Sequence, residues 1–425
     1  MKRARALVIV GLITILTGVS EASPAFAQTA SNCTDLTNPV YMGGTTAVIP
    51  VIRLMGARLR KYMGVTLLWN ENSDGCSSVS QLISPTSTRA RTVYSYYTEP
   101  SDQPPGTVYP TTCNSPVDTV PDLVINDVSW GSCMVSYSST PPVSLPPSVG
   151  EFLGPVQGMV PIVPNGNTYY DVTAEELQDL YICGGKANVM SYSNSTYIYD
   201  YSAQGSGMRE LWARGMGVAN GSLLSTGIGL GYFSTITAET MVTNYVAPST
   251  SPDLTIGYTS TEYYDQYRGQ VRGLKVRGVN QKLAYLPDFD GQSTDKINIR
   301  EGRYTLQGVL RLFAPVDASS VPTNLQVKHI IDWFQQNPVQ DPALHLPFDV
   351  NEIYALRGVV PQCAMKVTRD ADALAFRHYK PSQPCHCSFE VLATGKTACV
   401  PCAGVDAGTC QAGQSCSHGY CEQVQ

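Results

Sequence analysis

Three short loops carry the residues best suited to holding an anion. Gly44-Thr45-Thr46-Ala47, Gly75-Cys76-Ser77-Ser78 and Gly205-Ser206-Gly207-Met208 each place glycine and hydroxyl side chains directly before a helical pattern. The first amides of a helix have no partner within it, so such loops can aim backbone N–H groups and hydroxyls at an oxyanion. The same residue types also make ordinary N-caps. Asp127 follows the apolar run Leu123-Val124-Ile125 and adds one carboxylate. By residue type alone it reads as a cap or turn residue after a strand.

The distribution of histidine argues against catalysis. All five (His329, His345, His378, His386, His418) lie in the last quarter, so the first 328 residues lack the commonest general base and metal ligand. A secreted phosphate-ester hydrolase is the weakest reading for that reason, and neither enzyme activity nor a cofactor is expected. The formal charge of −6 makes a nucleic-acid partner improbable, because such binding rests on a basic footprint. A small anion is compatible with it, since backbone dipoles can hold one whatever the sign of the total.

Positioning those loops requires a particular order of elements. Val48, Val51, Ile52, Met55, Leu59 and Tyr62 have helical spacing, with Pro50 tolerable in the first turn. Val65–Trp69 reads as a strand, Val79–Ile83 as another helix start and Val93–Tyr97 as one arm of a hairpin. This strand–helix alternation predicts a parallel sheet covered on both faces. A Pro-rich stretch from Ser139 to Pro147, continuing to Pro155, reads as a linker into a second lobe. That lobe opens with the strand Gly158–Val163, a capping box at Thr173-Ala174-Glu175-Glu176 and a helix carrying Leu211, Trp212 and Met216. Asp253–Thr259, Tyr304–Phe313 and Val327–Trp333 then return the chain to the first lobe, leaving a cleft between the two.

The loops in series, with Asn126-Asp127, Gly154-Pro155-Val156-Gln157, Ile256-Gly257-Tyr258 and Asp295-Lys296-Ile297-Asn298-Ile299-Arg300, resemble the phosphate-binding subfamily of bacterial periplasmic solute-binding proteins. The resemblance covers roughly residues 38 to 350. It implies a two-lobed α/β fold of the type II periplasmic-binding-protein kind, closing over phosphate and handing it to an ABC transporter permease. It also implies a ligand set of Gly44, Thr45, Thr46, Ala47, Gly75, Cys76, Ser77, Asp127, Ser206 and Gly207. Asp127, which only accepts hydrogen bonds, would favour an anion that still carries a proton over fully ionised sulfate. Where the family has an arginine and a threonine, this chain has Ser202 and Met208, and Gly75 stands for a serine. Each lost donor removes about 1–3 kcal/mol from a buried anion.

The ends of the chain set its compartment. Lys2, Arg3 and Arg5, an apolar stretch from Ala6 to Leu16 and Ala25-Phe26-Ala27 form a cleavable export signal over residues 1–27. No later run approaches a membrane span, so a periplasmic, extracellular or cell-surface location is expected. The expected organisation is a first lobe from 28–152 and 253–358, a second lobe from 153–252, and a cysteine-rich module over 359–425. Eight of thirteen cysteines lie in that module, where export favours disulfides over zinc ligation by Cys385, Cys387, Cys399 and Cys402. In the body, Cys76 has two plausible partners, Cys113 and Cys133, and one body cysteine is left over. Tyr197, Tyr199 and Tyr201 share one face of an extended segment. The missing arginine and the extra tail favour a second reading: a cell-surface or structural protein on the same scaffold, with altered or lost ligand binding, that uses this tyrosine-rich face and the cysteine module for contacts.

Overall fold

The segment from Ser31 to Trp69 sets the pattern of the fold. A short strand β1 (Ser31–Asn32) precedes β2 (Pro39–Gly44) and helix α1 (Ile49–Met63). The computed structural model describes residues 31–84, 91–100, 104, 106–137, 144–184, 197–200, 206–218, 223, 237–337, 341–372, 374–403 and 410–423. Helix α1 carries Pro50 in its first turn and stops at Gly64, whose left-handed φ of 63° lets its N–H reach the Leu59 carbonyl. Val51, Ile52, Met55 and Leu59 form its buried face. Each such side chain contributes about 1.5–3 kcal/mol on leaving water. The chain then returns as β3 (Thr66–Trp69), parallel to β2. Helix α2 (Gly75–Ile83), the hairpin β4 (Val93–Thr98) and β5 (Tyr109–Asn114), strand β6 (Leu123–Asn126) and helix α3 (Trp130–Tyr137) complete this half.

Strand β7 (Val149–Pro164) is continuous over 16 residues. The expected linker through Pro155 is therefore corrected: residues from Val149 onward are strand. Next come β8 (Asp171–Thr173) and α4 (Ala174–Gln178), whose capping box forms as expected between Thr173 and Glu176. Strand β9 (Tyr197–Ile198), helices α5 (Gly207–Gly215) and α6 (Ala238–Thr240), strand β10 (Thr255–Ser260), helix α7 (Thr261–Tyr267) and strands β11 (Val271–Gly273) and β12 (Lys275–Arg277) follow. Trp212 of α5 stacks on Tyr258 of β10, with ring centroids 4.4 Å apart, which fixes α5 on the sheet. Tyr201 lies outside the described residues.

Helix α8 (Ile297–Arg300), strand β13 (Gln307–Pro315) and helices α9 (Leu325–Gln335) and α10 (Val350–Leu356) close the body. The main sheet runs β1-β5-β4-β3-β2-β6-β13-β7-β10-β9, with β11 also on β7. The first part of β7 pairs with β13 and its last part with β10 and β11, so one strand carries the sheet from one half into the other. Strands β3, β2 and β6 are parallel, as the alternation predicts, but β4, β13 and β7 run antiparallel to their neighbours. The fold is thus mixed α/β. Residues from Ser31 onward form one compact unit.

The tail adds two small hairpins, β14 (Val367–Thr368) with β15 (Arg377–His378) and β16 (Gln414–Ser417) with β17 (Tyr420–Gln423), around helix α11 (His386–Thr394). Its eight cysteines form four disulfides, Cys363–Cys385, Cys387–Cys399, Cys402–Cys416 and Cys410–Cys421, so the zinc alternative is not realised. In the body Cys33 joins Cys113 and Cys76 joins Cys133, which decides between the two partners open to Cys76. Cys183 is free and exposed. Six disulfides fit an oxidising, exported environment. Among the described residues no helix is long and apolar enough to cross a membrane. The export signal expected at residues 1–27 lies outside the described residues.

Candidate functional site

The end of β6 is the point on which the predicted loops converge. Gly44 closes β2 with a φ of 138°, and a Cβ there would lie 1.8 Å from the Ile125 carbonyl oxygen. Only glycine permits that approach. Thr45 then donates its N–H to the same carbonyl at 2.9 Å, which locks the first loop against β6. Its hydroxyl accepts the Ala47 N–H at 3.2 Å, capping the turn that leads into α1. Thr46 lies partly exposed, its hydroxyl 3.9 Å from the Met208 sulfur on α5.

The second and third loops meet at one side chain. A Cβ on Gly75, first residue of α2, would lie 1.8 Å from Asn126 Oδ1, and one on Gly207, first residue of α5, 2.2 Å from the same atom. Gly207 also faces Asp127 Oδ2, at 2.8 Å from its hypothetical Cβ. Asp74 caps α2 by accepting the Ser77 N–H at 2.8 Å. Ser206 caps α5 without a side-chain bond to the helix. Cys76 is tied to Cys133 on α3, and the Asn126 side-chain amide donates toward both sulfurs and to the Val128 carbonyl.

Asn126 and Asp127 are both fully buried, and Asn126 Oδ1 and Asp127 Oδ2 have no hydrogen-bond partner among the described residues. Burial pushes the Asp127 carboxyl up to about 6, while the Thr45 hydroxyl and the Gln157 amide favour its ionised form. No cationic side chain offsets that burial among the described residues. Arg209, the nearest basic position along α5, is itself buried and pairs with Asp200 at 2.9 Å. Ser202 lies outside the described residues.

Sequence reasoning did not assign three residues of this cluster. Gln157 of β7 donates to Asp127 Oδ1. Glu262, in the first turn of α7, is fully buried, and its carboxyl is raised well above the usual range by burial, with the Asp127 charge acting in the same direction. Asn126 supplies the atom that both helix starts face. A glutamine inside the apolar run of β7 was the available signal for Gln157, whereas Glu262 reads as an ordinary acidic first-turn residue. The arrangement can accept a proton or a hydrogen bond at Asp127 and present two helix N-termini close by.

Comparison with known proteins yields structures alone. No protein-family model matches the chain, and no curated protein matches it. Among solved structures it is similar to a putative phosphate ABC transporter substrate-binding protein from Clostridium perfringens with bound phosphate, at 14% identity and a TM-score of 0.48 over 76% of this chain and 99% of that one. It is also similar to an ABC-type phosphate transport receptor from Vibrio cholerae, at 13% identity and a TM-score of 0.44 over 76% and 99%. A third similar structure is the regulatory domain of CcmR from Synechocystis in complex with 2-PG, at 9% identity and a TM-score of 0.35 over 70% and 95%.

Proposed function

We propose that the protein is an exported solute-binding protein that takes a small protonated oxyanion, phosphate, at the junction of β6, α2 and α5, and delivers it to an ABC transporter. The observation that carries this reading is the convergence of Gly75 and Gly207, each opening a helix, on Asn126 Oδ1 and Asp127 Oδ2. Two helix N-termini favour negative charge, and a buried carboxylate beside them selects an anion that can still donate a proton. Thr45 and Thr46 supply hydroxyls at the same edge. Because Thr45, Asp127 and Gly207 are buried, entry of a ligand requires the two halves that β7 joins to open and close again.

Isothermal calorimetry of the disulfide-intact mature protein tests this. Phosphate should release or absorb heat with a saturable isotherm, sulfate should bind at least tenfold more weakly, and Asp127→Asn should remove that preference. Absence of heat with either anion overturns the reading.

A second reading is a cell-surface protein on the same scaffold with lost ligand binding. It is favoured by the engagement of Arg209 with Asp200 and the capping of the Ala47 and Ser77 amides by Thr45 and Asp74.

A further inference from the structure

Asp372, in the cysteine-rich tail, reaches back to the element that follows the candidate site. Its Oδ2 accepts the Ser129 N–H at 2.7 Å and the Ser132 hydroxyl at 2.8 Å. Ser129 lies two residues after Asp127 and directly before α3, so a carboxylate from the tail caps that helix. Asp372 Oδ1 lies 3.8 Å from Arg311 Nη2 on β13, and the side chain is only 3% exposed. A carboxylate so far from water is held there by such partners. Helix α3 belongs to the first half, where Cys133 ties it to α2.

Three residues earlier, Arg369 grips the other half. Its Nη2 donates to the Thr305 carbonyl at 2.9 Å, and its guanidinium lies over the Phe376 ring, 3.8 Å from the centroid. The stretch from Arg303 to Thr305 is attached to the turn after β12: the Gln281 side-chain amide donates to the Arg303 carbonyl at 2.7 Å, and a Cβ on Gly278 would lie 2.6 Å from Thr305 Oγ1. Strand β12 follows β11, which pairs with the last part of β7, so Thr305 is tied to the second half. Arg369 and Asp372 line one narrow space over β13 together with Gln307, Gly308 and Arg311. Gly308 is the register partner of Gln157, close to the point where β7 passes from one half to the other.

The segment that carries both anchors has little slack. Residues 369–372 span about 10 Å at full extension. They lie inside the loop closed by Cys363–Cys385, whose base is joined again by the Cys385 N–H on the Cys363 carbonyl at 2.9 Å. Just before that base, Val360 exchanges both backbone hydrogen bonds with Val156 of β7, at 2.7 and 2.8 Å. We propose that residues 369–372 are a strap across the two halves, and that Asp372 must leave α3 before the candidate site at Asp127 can open. The inference rests on the opening motion of the reading above and not on the identity of its ligand. A tail fixed at β7 thereby sets how readily the halves separate, through one carboxylate and one guanidinium.

Hydrogen exchange of the disulfide-intact mature protein, followed by mass spectrometry without any ligand, provides the test. Asp372→Ala and, independently, Arg369→Ala should each speed exchange in α5 at least tenfold, because α5 then separates from Asn126, while α1 within the first half exchanges as in the wild type. Arg369→Ala leaves the bonds of Asp372 to Ser129 and Ser132 in place, so it separates a strap from a simple helix cap and covers the case in which the Asp372 variant does not fold. Faster exchange confined to α3 in Asp372→Ala, unchanged α5 in Arg369→Ala, or equal acceleration of α1 and α5 in both variants overturns the proposal. Accelerated α5 in a protein that gives no heat with phosphate or sulfate would remove the ligand reading and leave the strap standing.

Discussion

Gln157 donates its side-chain amide to Asp127 Oδ1 across an intervening strand. Its register partner on β13 is Gly308, which presents no side chain between them. This bond ties β7 to the end of β6 at the point where the helix starts converge. Neutral amide and buried carboxyl form a pair without a cation, and that has a consequence for pH.

The Asp127 carboxyl titrates at about 6 in the folded protein, against about 3.9 in an unfolded chain. A raised folded pKa means that the native state holds the proton more tightly, so stability is greatest while the group is protonated. It falls as pH rises from about 4 through about 6, by roughly 3 kcal/mol at most. Glu262 shifts in the same direction and adds a loss of the same sign. Asp127→Asn removes the Asp127 contribution, so the variant should gain on the wild type between pH 4 and pH 7, with the Gln157 amide turning to accept. Urea midpoints measured across that range check this, and a difference between the two proteins that stays constant with pH contradicts it.

The Cys76–Cys133 bridge closes a loop of 57 residues between α2 and α3 and holds Gly75 against Asn126. By loop entropy, a closure of this length contributes about 4 kcal/mol. The double substitution Cys76→Ala/Cys133→Ala should lower the guanidinium midpoint accordingly. It should also increase hydrogen exchange at the first turn of α2 more than at α1. Uniform exchange in both helices would show that the bridge does not hold the loop.

Much of the first half of the fold is legible because its signals are local. The apolar spacing of α1, Pro50 in its first turn and the Thr173/Glu176 capping box depend on neighbours a few residues away. Strand β7 is not legible in full because Gly150, Gly154 and Pro155 carry the composition of a linker. The glycines are there for close packing: a Cβ on Gly154 would lie 3.0 Å from the Leu310 carbonyl, and one on Gly150 2.7 Å from Val316. The site shows the same division. Gly75 and Gly207 announce helix starts, but that both face Asn126 is a long-range fact, and a glutamine within an apolar strand signals a buried polar partner without saying which.

Lys296 is fully buried and bridges Asp265 at 2.7 Å and Asp288 at 2.9 Å, beside Arg268, which pairs with the same two carboxylates. Its backbone N–H also donates to Asp288. Removing one partner of a buried ion pair leaves a charge without its counter-ion and costs about 3–5 kcal/mol. Lys296→Met should therefore destabilise by that amount in urea. Adding Asp288→Asn should recover part of it, because the two residues share one network. Strictly additive losses in the double variant would mean that the pair is not coupled.

The contact of Gly207 with Asn126 makes the sharpest prediction about the site. A methyl group at Gly207 would stand 2.2 Å from Asn126 Oδ1 and 2.8 Å from Asp127 Oδ2, well inside any real contact. Helix α5 would have to move away from β6, although Trp212 holds it by stacking on Tyr258. Gly207→Ala should therefore cost about 1–3 kcal/mol, despite alanine's better helix propensity. Asn126→Ala removes the obstructing amide, so in the double variant the penalty of the alanine at 207 should shrink by 1 kcal/mol or more. A double-mutant cycle by chemical unfolding measures that coupling directly. Zero coupling would mean that α5 and β6 are not in contact here, and the convergence of helix starts on Asn126 and Asp127 would fall with it.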